Sequence, residues 1–258
     1  MENAHYQQSP LLQAAGFQHA FFTRRGGVSS GAYESLNFSV AVGDLAENVQ
    51  ENLARAARAL GVDPERVYFL SQVHGREVKR LTGADSRQEV LQERGDAVIG
   101  TRSDLACAVR VADCAPILIG DKASGAAAAV HAGWRGTVGG VVAAAVERLR
   151  AELGGPGELV AAIGPHISVA AFEVSSDVAD ELLGASPDPD VIDRTRGPRP
   201  HVNLRRILRA QLVELGVADD AIDDVDGCTV GEPSLYFSYR RDGRQSGRHI
   251  AAIVPQGC

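Results

Sequence analysis

Between residues 96 and 131 the chain runs as short apolar segments, 96–100, 105–111, 116–120 and 126–131, punctuated by Gly, Asp and Pro. Segments this short, bounded by turn formers, read as buried strands rather than amphipathic helices. This block fixes most of what the chain can become. It demands a sheet, and the sequence around it supplies helices to cover one. A helix is expected over 45–60, where Leu45, Val49, Leu53 and Ala57 recur at helical spacing and Gly61 supplies the stop. Others are expected over 138–153, closed by Gly154-Gly155-Pro156, over 177–183, and over 203–215, ended by Gly216. Further strands are expected at 20–23, at 67–73 running into His74-Gly75, at 159–163 and at 249–254. Residues 184–200, with alternating Asp and Pro and then Thr-Arg-Gly-Pro-Arg-Pro, read as a loop. Strands both in hairpin-like succession and alternating with helices predict an α+β single domain, a mixed β-sheet with flanking helices, its core at about 20–254.

The 258 residues suffice to bury a substantial core within one domain. A net charge of −7 argues against nucleic-acid or anionic-membrane binding driven by overall charge. The first twenty residues carry no basic segment followed by an apolar run, and no uncharged apolar stretch reaches the roughly 18 residues of a membrane span. The four cysteines, Cys107, Cys114, Cys228 and Cys258, lack paired spacing and read as reduced thiols, so the cytoplasm is the expected compartment. No protein partner can be inferred.

Three of the metal-seeking side chains stand at strand ends. Gln72-Val73-His74-Gly75 places a His after an apolar run, Ala112-Asp113-Cys114-Ala115-Pro116 places a Cys at a strand break, and Ala129-Val130-His131-Ala132-Gly133-Trp134 places a His before a glycine turn. Two imidazoles and a thiolate suit zinc, and three ligands without a fourth leave a position open, as catalytic sites do. The same residues equally suit a Cys–His hydrolase with Cys114 as nucleophile and His131 as base. Spacing leaves both open.

Six motifs then occur in order: Thr23-Arg24-Arg25-Gly26-Gly27-Val28-Ser29, Ser35-Leu36-Asn37, Gln72-Val73-His74-Gly75, Ala112-Asp113-Cys114-Ala115-Pro116, His131-Ala132-Gly133-Trp134-Arg135-Gly136 and Phe237-Ser238-Tyr239-Arg240-Arg241-Asp242-Gly243. Together they resemble the YfiH family, long labelled polyphenol oxidase or laccase-like, also called peptidoglycan editing factor, and described as purine nucleoside phosphorylases with adenosine deaminase activity. The resemblance implies a YfiH-type fold, zinc held by His74, Cys114 and His131, and a small-molecule nucleoside and phosphate as reactants. In many relatives the Ile163-Gly164-Pro165 segment continues with cysteines; here it continues His166-Ile167-Ser168, so any role of those cysteines does not carry over.

Phosphorolysis needs a phosphate pocket, and Arg offers bidentate contacts. Arg24 and Arg25 precede a Gly-Gly loop, and Arg240, Arg241, Arg244 and Arg248 cluster with Gly243 and Gly247; the resemblance favours Arg24 and Arg241, with Arg244 beside them, and Asn37 and Gln72 are candidates for ribose or base. Phe38, Trp134, Phe172, Tyr236, Phe237 and Tyr239 are candidates to stack on a purine, Asp113 to orient a ligand His, and Cys228 to line the site. Copper is the alternative metal, since it outranks zinc in intrinsic affinity. The alternative functions are a copper-dependent polyphenol oxidoreductase, a Cys114-dependent amide hydrolase or peptidoglycan-precursor editor, and a zinc-stabilised binding protein.

Overall fold

Side chains alternate across each strand, and here both faces of both sheets find apolar partners. The strands are β1 (Tyr6–Gln7), β2 (His19–Phe22), β3 (Val67–Tyr68), β4 (Val78–Arg80), β5 (Ala97–Gly100), β6 (Ala106–Val111), β7 (Ala115–Asp121), β8 (Ala127–Ala132), β9 (Leu159–Ile163), β10 (Ile192–Asp193), β11 (His201–Val202), β12 (Ile222–Asp224) and β13 (His249–Ile253). The α-helices are α1 (Pro10–Ala14), α2 (Ala46–Leu60), α3 (Arg87–Val90), α4 (Trp134–Val138), α5 (Val141–Leu153), α6 (Ser176–Gly184), α7 (Leu204–Glu214) and α8 (Tyr239–Asp242). This computed structural model describes residues 3–257, so Cys258 lies outside the described residues. One sheet runs β1-β2-β13-β6-β3 and the other β12-β9-β7-β8-β5-β4; β10 and β11 form a separate pair. Both large sheets are mixed, with parallel pairs β3–β6, β4–β5 and β9–β12 among antiparallel ones.

The layering follows from period two. Ile117 and Ile119 of β7, with Ala128 and Val130 of β8, face α5, α6 and α7, burying Val142, Ala145, Val146, Leu149, Leu182, Leu208 and Leu212. Their neighbours Leu118, Ala127 and Ala129 face the other sheet, meeting Phe21, Cys107, Val109, Ala251 and Ile253. The far face of that second sheet, Phe22, Ala106, Ala108, Ile250 and Ala252, is covered by Leu53, Ala56, Ala57 and Leu60 of α2. The result is helix, sheet, sheet, helices: an α+β fold with mixed sheets. No helix among the described residues is long and apolar enough to cross a membrane.

Most expected elements fall within a residue or two of their observed bounds; α2 closes on Gly61 at φ +73°. Two depart. The expected strand 67–73 is a strand only over Val67–Tyr68, with an isolated bridge from Ser71 to Arg94, because the chain beyond it leaves the sheet to form the wall of a cleft. The helix expected over 138–153 is two helices, α4 and α5, because Gly140 takes a left-handed φ of +78° between them. The first therefore begins at Trp134, directly after His131-Ala132-Gly133.

Candidate metal centre

The β6–β7 connection crosses from one sheet to the other, and Cys114 lies in it. His131 lies at the end of β8, which pairs with β7 so that Pro116 faces His131. His74 comes from the loop after β3. These three bring their ligand atoms within 4.8 Å of one another, and among the described residues they form the one cluster of this kind. The imidazoles of His74 and His131 meet edge to face, 4.9 Å between centroids.

A residue that spacing did not single out holds this arrangement. Asp96, fully buried just before β5, accepts a hydrogen bond from His131 Nδ1 at 2.8 Å. Its two oxygens also accept the backbone N–H groups of Val73, His74 and Gly75 at 3.2, 2.9 and 2.7 Å. One carboxylate thus fixes the His131 ring, leaving Nε2 free to ligate, and shapes the loop that carries His74. Among the described residues, His74 and Asp113 are the non-glycine residues with positive φ, 60° and 92°. Both touch the centre, and such conformations persist where surrounding bonds over-determine them. Asp113 does not orient a ligand His: its carboxylate accepts Thr229 Oγ1 and the Arg240 N–H, each at 2.6 Å. It anchors the C-terminal loops against the Cys114 turn.

Burial alone would disfavour a Cys114 thiolate, but the charge of His131 and hydrogen bonds from His131 and His74 outweigh it, bringing the thiol down to about 6. Burial likewise opposes a charged His131, and the Cys114 thiolate and Asp96 raise it to about 9. Without metal the two form an ion pair; a bound cation takes the place of its proton. Because the thiol is depressed and the imidazole raised by each other's charge, the pair's stabilising contribution is present between the two values, lost as pH falls through about 6 and lost again as it rises through about 9. Alkylation of Cys114 in metal-free protein, followed peptide by peptide by mass spectrometry, is therefore expected to have its midpoint near pH 6. A midpoint in the ordinary cysteine range, about 8.5, would contradict the ion pair. Cys107, fully buried in β6 with its thiol pushed up by desolvation, is expected not to react.

The centre opens into a cleft of about 820 Å³. Of the aromatic candidates, Trp134, Phe172 and Tyr239 line it, with Ala41, Val42 and Ile167, whereas Phe38, Tyr236 and Phe237 are core residues. Five arginines line it, Arg110, Arg135, Arg240, Arg244 and Arg248, and none of them makes a salt bridge among the described residues. So a chain with net charge −7 presents an apolar and cationic hollow beside its candidate metal ligands.

Of the residues expected to bind substrate, the structure brings Arg244 to the cleft and places Arg24, Asn37 and Arg241 outside its lining. Arg24 donates to the carbonyls of Glu34 and Pro233 and lies over the Phe237 ring; with Arg25 it lines a separate hollow of about 450 Å³. Arg241 donates to the carbonyls of Thr229, Val230 and Tyr236 and to Asp242. Asn37, fully buried, holds Ser39, Asp44 and the Arg248 N–H. Cys228 stands beside Ser168 at 3.0 Å, also outside the lining.

Fold and centre together define an α/β/β/α protein with a candidate His/Cys/His metal site where the chain crosses between its two sheets. The chain belongs to the YfiH family, whose family-level description, multi-copper polyphenol oxidoreductase laccase, matches residues 18–256. It is 40% identical over 246 residues to a Streptomyces griseus protein named purine nucleoside phosphorylase ORF3, covering 94% of this chain and 95% of that one. To the Escherichia coli K12 purine nucleoside phosphorylase YfiH it is 34% identical over 241 residues, covering 93% and 95%. The crystal structure of YlmD from Geobacillus stearothermophilus superposes with a TM-score of 0.89 at 30% identity, covering 98% of this chain and 99% of that one.

Proposed function

We propose that this protein is a zinc-dependent purine nucleoside enzyme that cleaves adenosine- or inosine-type nucleosides with phosphate and also deaminates adenosine. The observation that carries the reading is the three-ligand cluster opening onto a cleft with both aromatic and unpaired cationic walls. Relatives named purine nucleoside phosphorylase at 34 and 40% identity support it. The donor set fits zinc, which accepts two imidazoles and a thiolate and would supply Lewis acidity at a position facing the cleft.

In phosphorolysis a phosphate oxygen bonds to ribose C1′ as the bond from C1′ to the purine nitrogen breaks. The electron pair leaves with the base, and the phosphate hydroxyl proton ends on that nitrogen. Trp134, Phe172 and Tyr239 offer faces for the base, and the arginines offer charge for the phosphate. In deamination, water replaces the amino group of adenosine, giving inosine and ammonia.

The test is metal analysis of purified protein, then incubation with adenosine with and without phosphate. Free adenine and ribose 1-phosphate are expected only with phosphate, and inosine in either case. Cys114→Ala is expected to lose its zinc and both activities. Absence of all these products, with metal content unchanged in Cys114→Ala, would sink the reading. A polyphenol oxidase is the second reading, favoured by the family's description. The other described histidines argue against a multi-copper cluster, being dispersed: His5 bonds Thr23, His19 bonds Ser9 and Phe17, His166 bonds Gly164, His201 bonds Val169, and His249 packs against the Tyr236 and Phe237 rings with neither ring nitrogen hydrogen-bonded. Phenol oxidation by copper-loaded, zinc-free protein would reverse that preference.

A further inference from the structure

Arg110 and Arg248 stand on neighbouring strands. In the β6–β13 pairing Arg110 lies opposite Ile250, so Arg248, two residues before Ile250, projects on the same face one step along the diagonal. That face is the one α2 covers lower down, through Ala106, Ala108, Ile250 and Ala252. Beyond the helix it ends in two guanidinium groups.

Like charges placed this way repel. Burial, then Arg248 and Arg87, push Arg110 down to about 10, and no carboxylate pairs with either group. The fold nevertheless holds both rigidly. Gln72 brackets the Arg110 backbone, donating to its carbonyl and accepting its N–H, both at 2.8 Å, while Arg110 Nη2 donates to Leu70 and its plane lies over Phe69. The Arg248 N–H donates to Asn37 Oδ1 at 2.8 Å, its carbonyl accepts from Phe38, and its Nη1 donates to the carbonyls of Ser246 and Gly247. Each guanidinium is pinned through one amino group. Nε and Nη1 of Arg110, and Nε and Nη2 of Arg248, have no partner among the described residues.

We propose that Arg110 and Arg248 form a preorganised subsite for a tetrahedral oxyanion, inorganic phosphate, in the same cleft as the His74/Cys114/His131 cluster but distinct from it. Arg248, held through Nη1, keeps its Nε/Nη2 edge open for two parallel N–H···O bonds to an oxyanion, and Arg110, held through Nη2, adds single N–H donors from Nε and Nη1, in neither case by ordering a loose side chain. The bound anion removes the repulsion between the two cations. Both arginines line the same cleft as His74, Cys114 and His131. This subsite deepens the proposed phosphorolysis, since it names where the attacking phosphate waits. As a binding site it stands independently of the reaction.

The experiment is isothermal titration of inorganic phosphate into metal-loaded, full-length protein. Arg110→Met and Arg248→Met are each expected to raise the phosphate Kd about tenfold or more. Arg248→Lys, which keeps the charge but loses the fork, should fall between. Arg58→Ala, removing an exposed charge on α2, controls for net charge and is expected to leave phosphate affinity unchanged. Sulfate is expected to compete with phosphate, and chloride at equal ionic strength not to. Wild-type phosphate affinity in folded, metal-loaded Arg110→Met and Arg248→Met overturns the proposal. So does phosphate binding that vanishes on metal removal yet ignores both arginines. If a Met variant does not fold, Arg248→Lys decides alone, an unchanged Kd overturning the subsite. Arginine-dependent phosphate binding without any release of base would sink the nucleoside reading and leave the subsite standing.

Discussion

Asp96→Ala is expected to weaken zinc binding by about ten- to a hundredfold and to lower the stability of the metal-free protein by about 3–5 kcal/mol. The carboxylate is fully buried and accepts four hydrogen bonds, three from consecutive backbone N–H groups and one from His131. Its removal leaves the buried His131 donor, and the half-buried donors of the 73–75 loop, without an acceptor, at up to about 1–3 kcal/mol for each unsatisfied group. The two losses have different origins. The backbone donors belong to the 73–75 loop, so stability falls whether or not metal is present. The His131 bond selects the ring tautomer that offers Nε2, so metal affinity falls beyond what the looser loop explains. Asp96→Asn keeps the volume but turns one acceptor into a donor facing N–H groups, and is expected to lie between. Chelator competition for zinc, with thermal melts of loaded and stripped protein, reads both quantities. A stable Asp96→Ala protein with wild-type zinc affinity would remove Asp96 from the centre.

The sheets were readable because their apolar runs lie between Gly, Asp and Pro, and because both faces of β7 and β8 are buried, leaving no polar alternation to confuse them with a helix. The departures came where function pulls the chain from regular structure. Phe69 and Leu70 look like strand residues and are buried like them, yet the backbone beyond Tyr68 turns away to bring Gln72 and His74 to the cleft. Gly139-Gly140 sits inside an otherwise helical pattern, and propensity alone did not show that Gly140 would adopt positive φ.

At the site the ligand types were legible and their supports were not. His and Cys at strand ends announce themselves by chemistry. Asp96 is one acidic residue among 33, and its partners lie 21 to 35 positions away, so only the fold reveals what it accepts. Arg110 was hidden near the end of an apolar strand, where a charge reads as an outward-facing residue. Arg24 and Arg241 drew notice through neighbouring glycines, and the structure gives their guanidinium groups to backbone carbonyls. A basic residue next to a flexible loop can bind an anion or staple that loop, and sequence alone weights the two alike.

Gly133→Ala is expected to disable the centre while leaving the fold nearly intact, with a loss of at least about a hundredfold in turnover. A Cβ at this position would lie 2.8 Å from Cys114 Sγ and 2.9 Å from His74 Cδ2, between two of the three ligands. The backbone does not resist the change: φ is −80° and ψ 168°, ordinary for alanine, so the strain falls on the ligands themselves. Overpacking of this kind costs about 1–3 kcal/mol, a modest drop in melting temperature beside the loss of zinc. Gly155→Ala, where an added Cβ meets nothing within 4 Å, is the matched control. The two chemistries that the His and Cys residues allow are separated by stripping zinc from the wild-type protein, because the added Cβ presses on Cys114 Sγ as closely as on His74. A Cys–His hydrolase needs no metal and would keep its activity in the stripped protein. A metal enzyme needs all three donors at once and loses zinc and turnover together. Parallel loss of both in Gly133→Ala is the result that the three-ligand reading requires. Wild-type zinc content would show that the cluster is not where the metal resides.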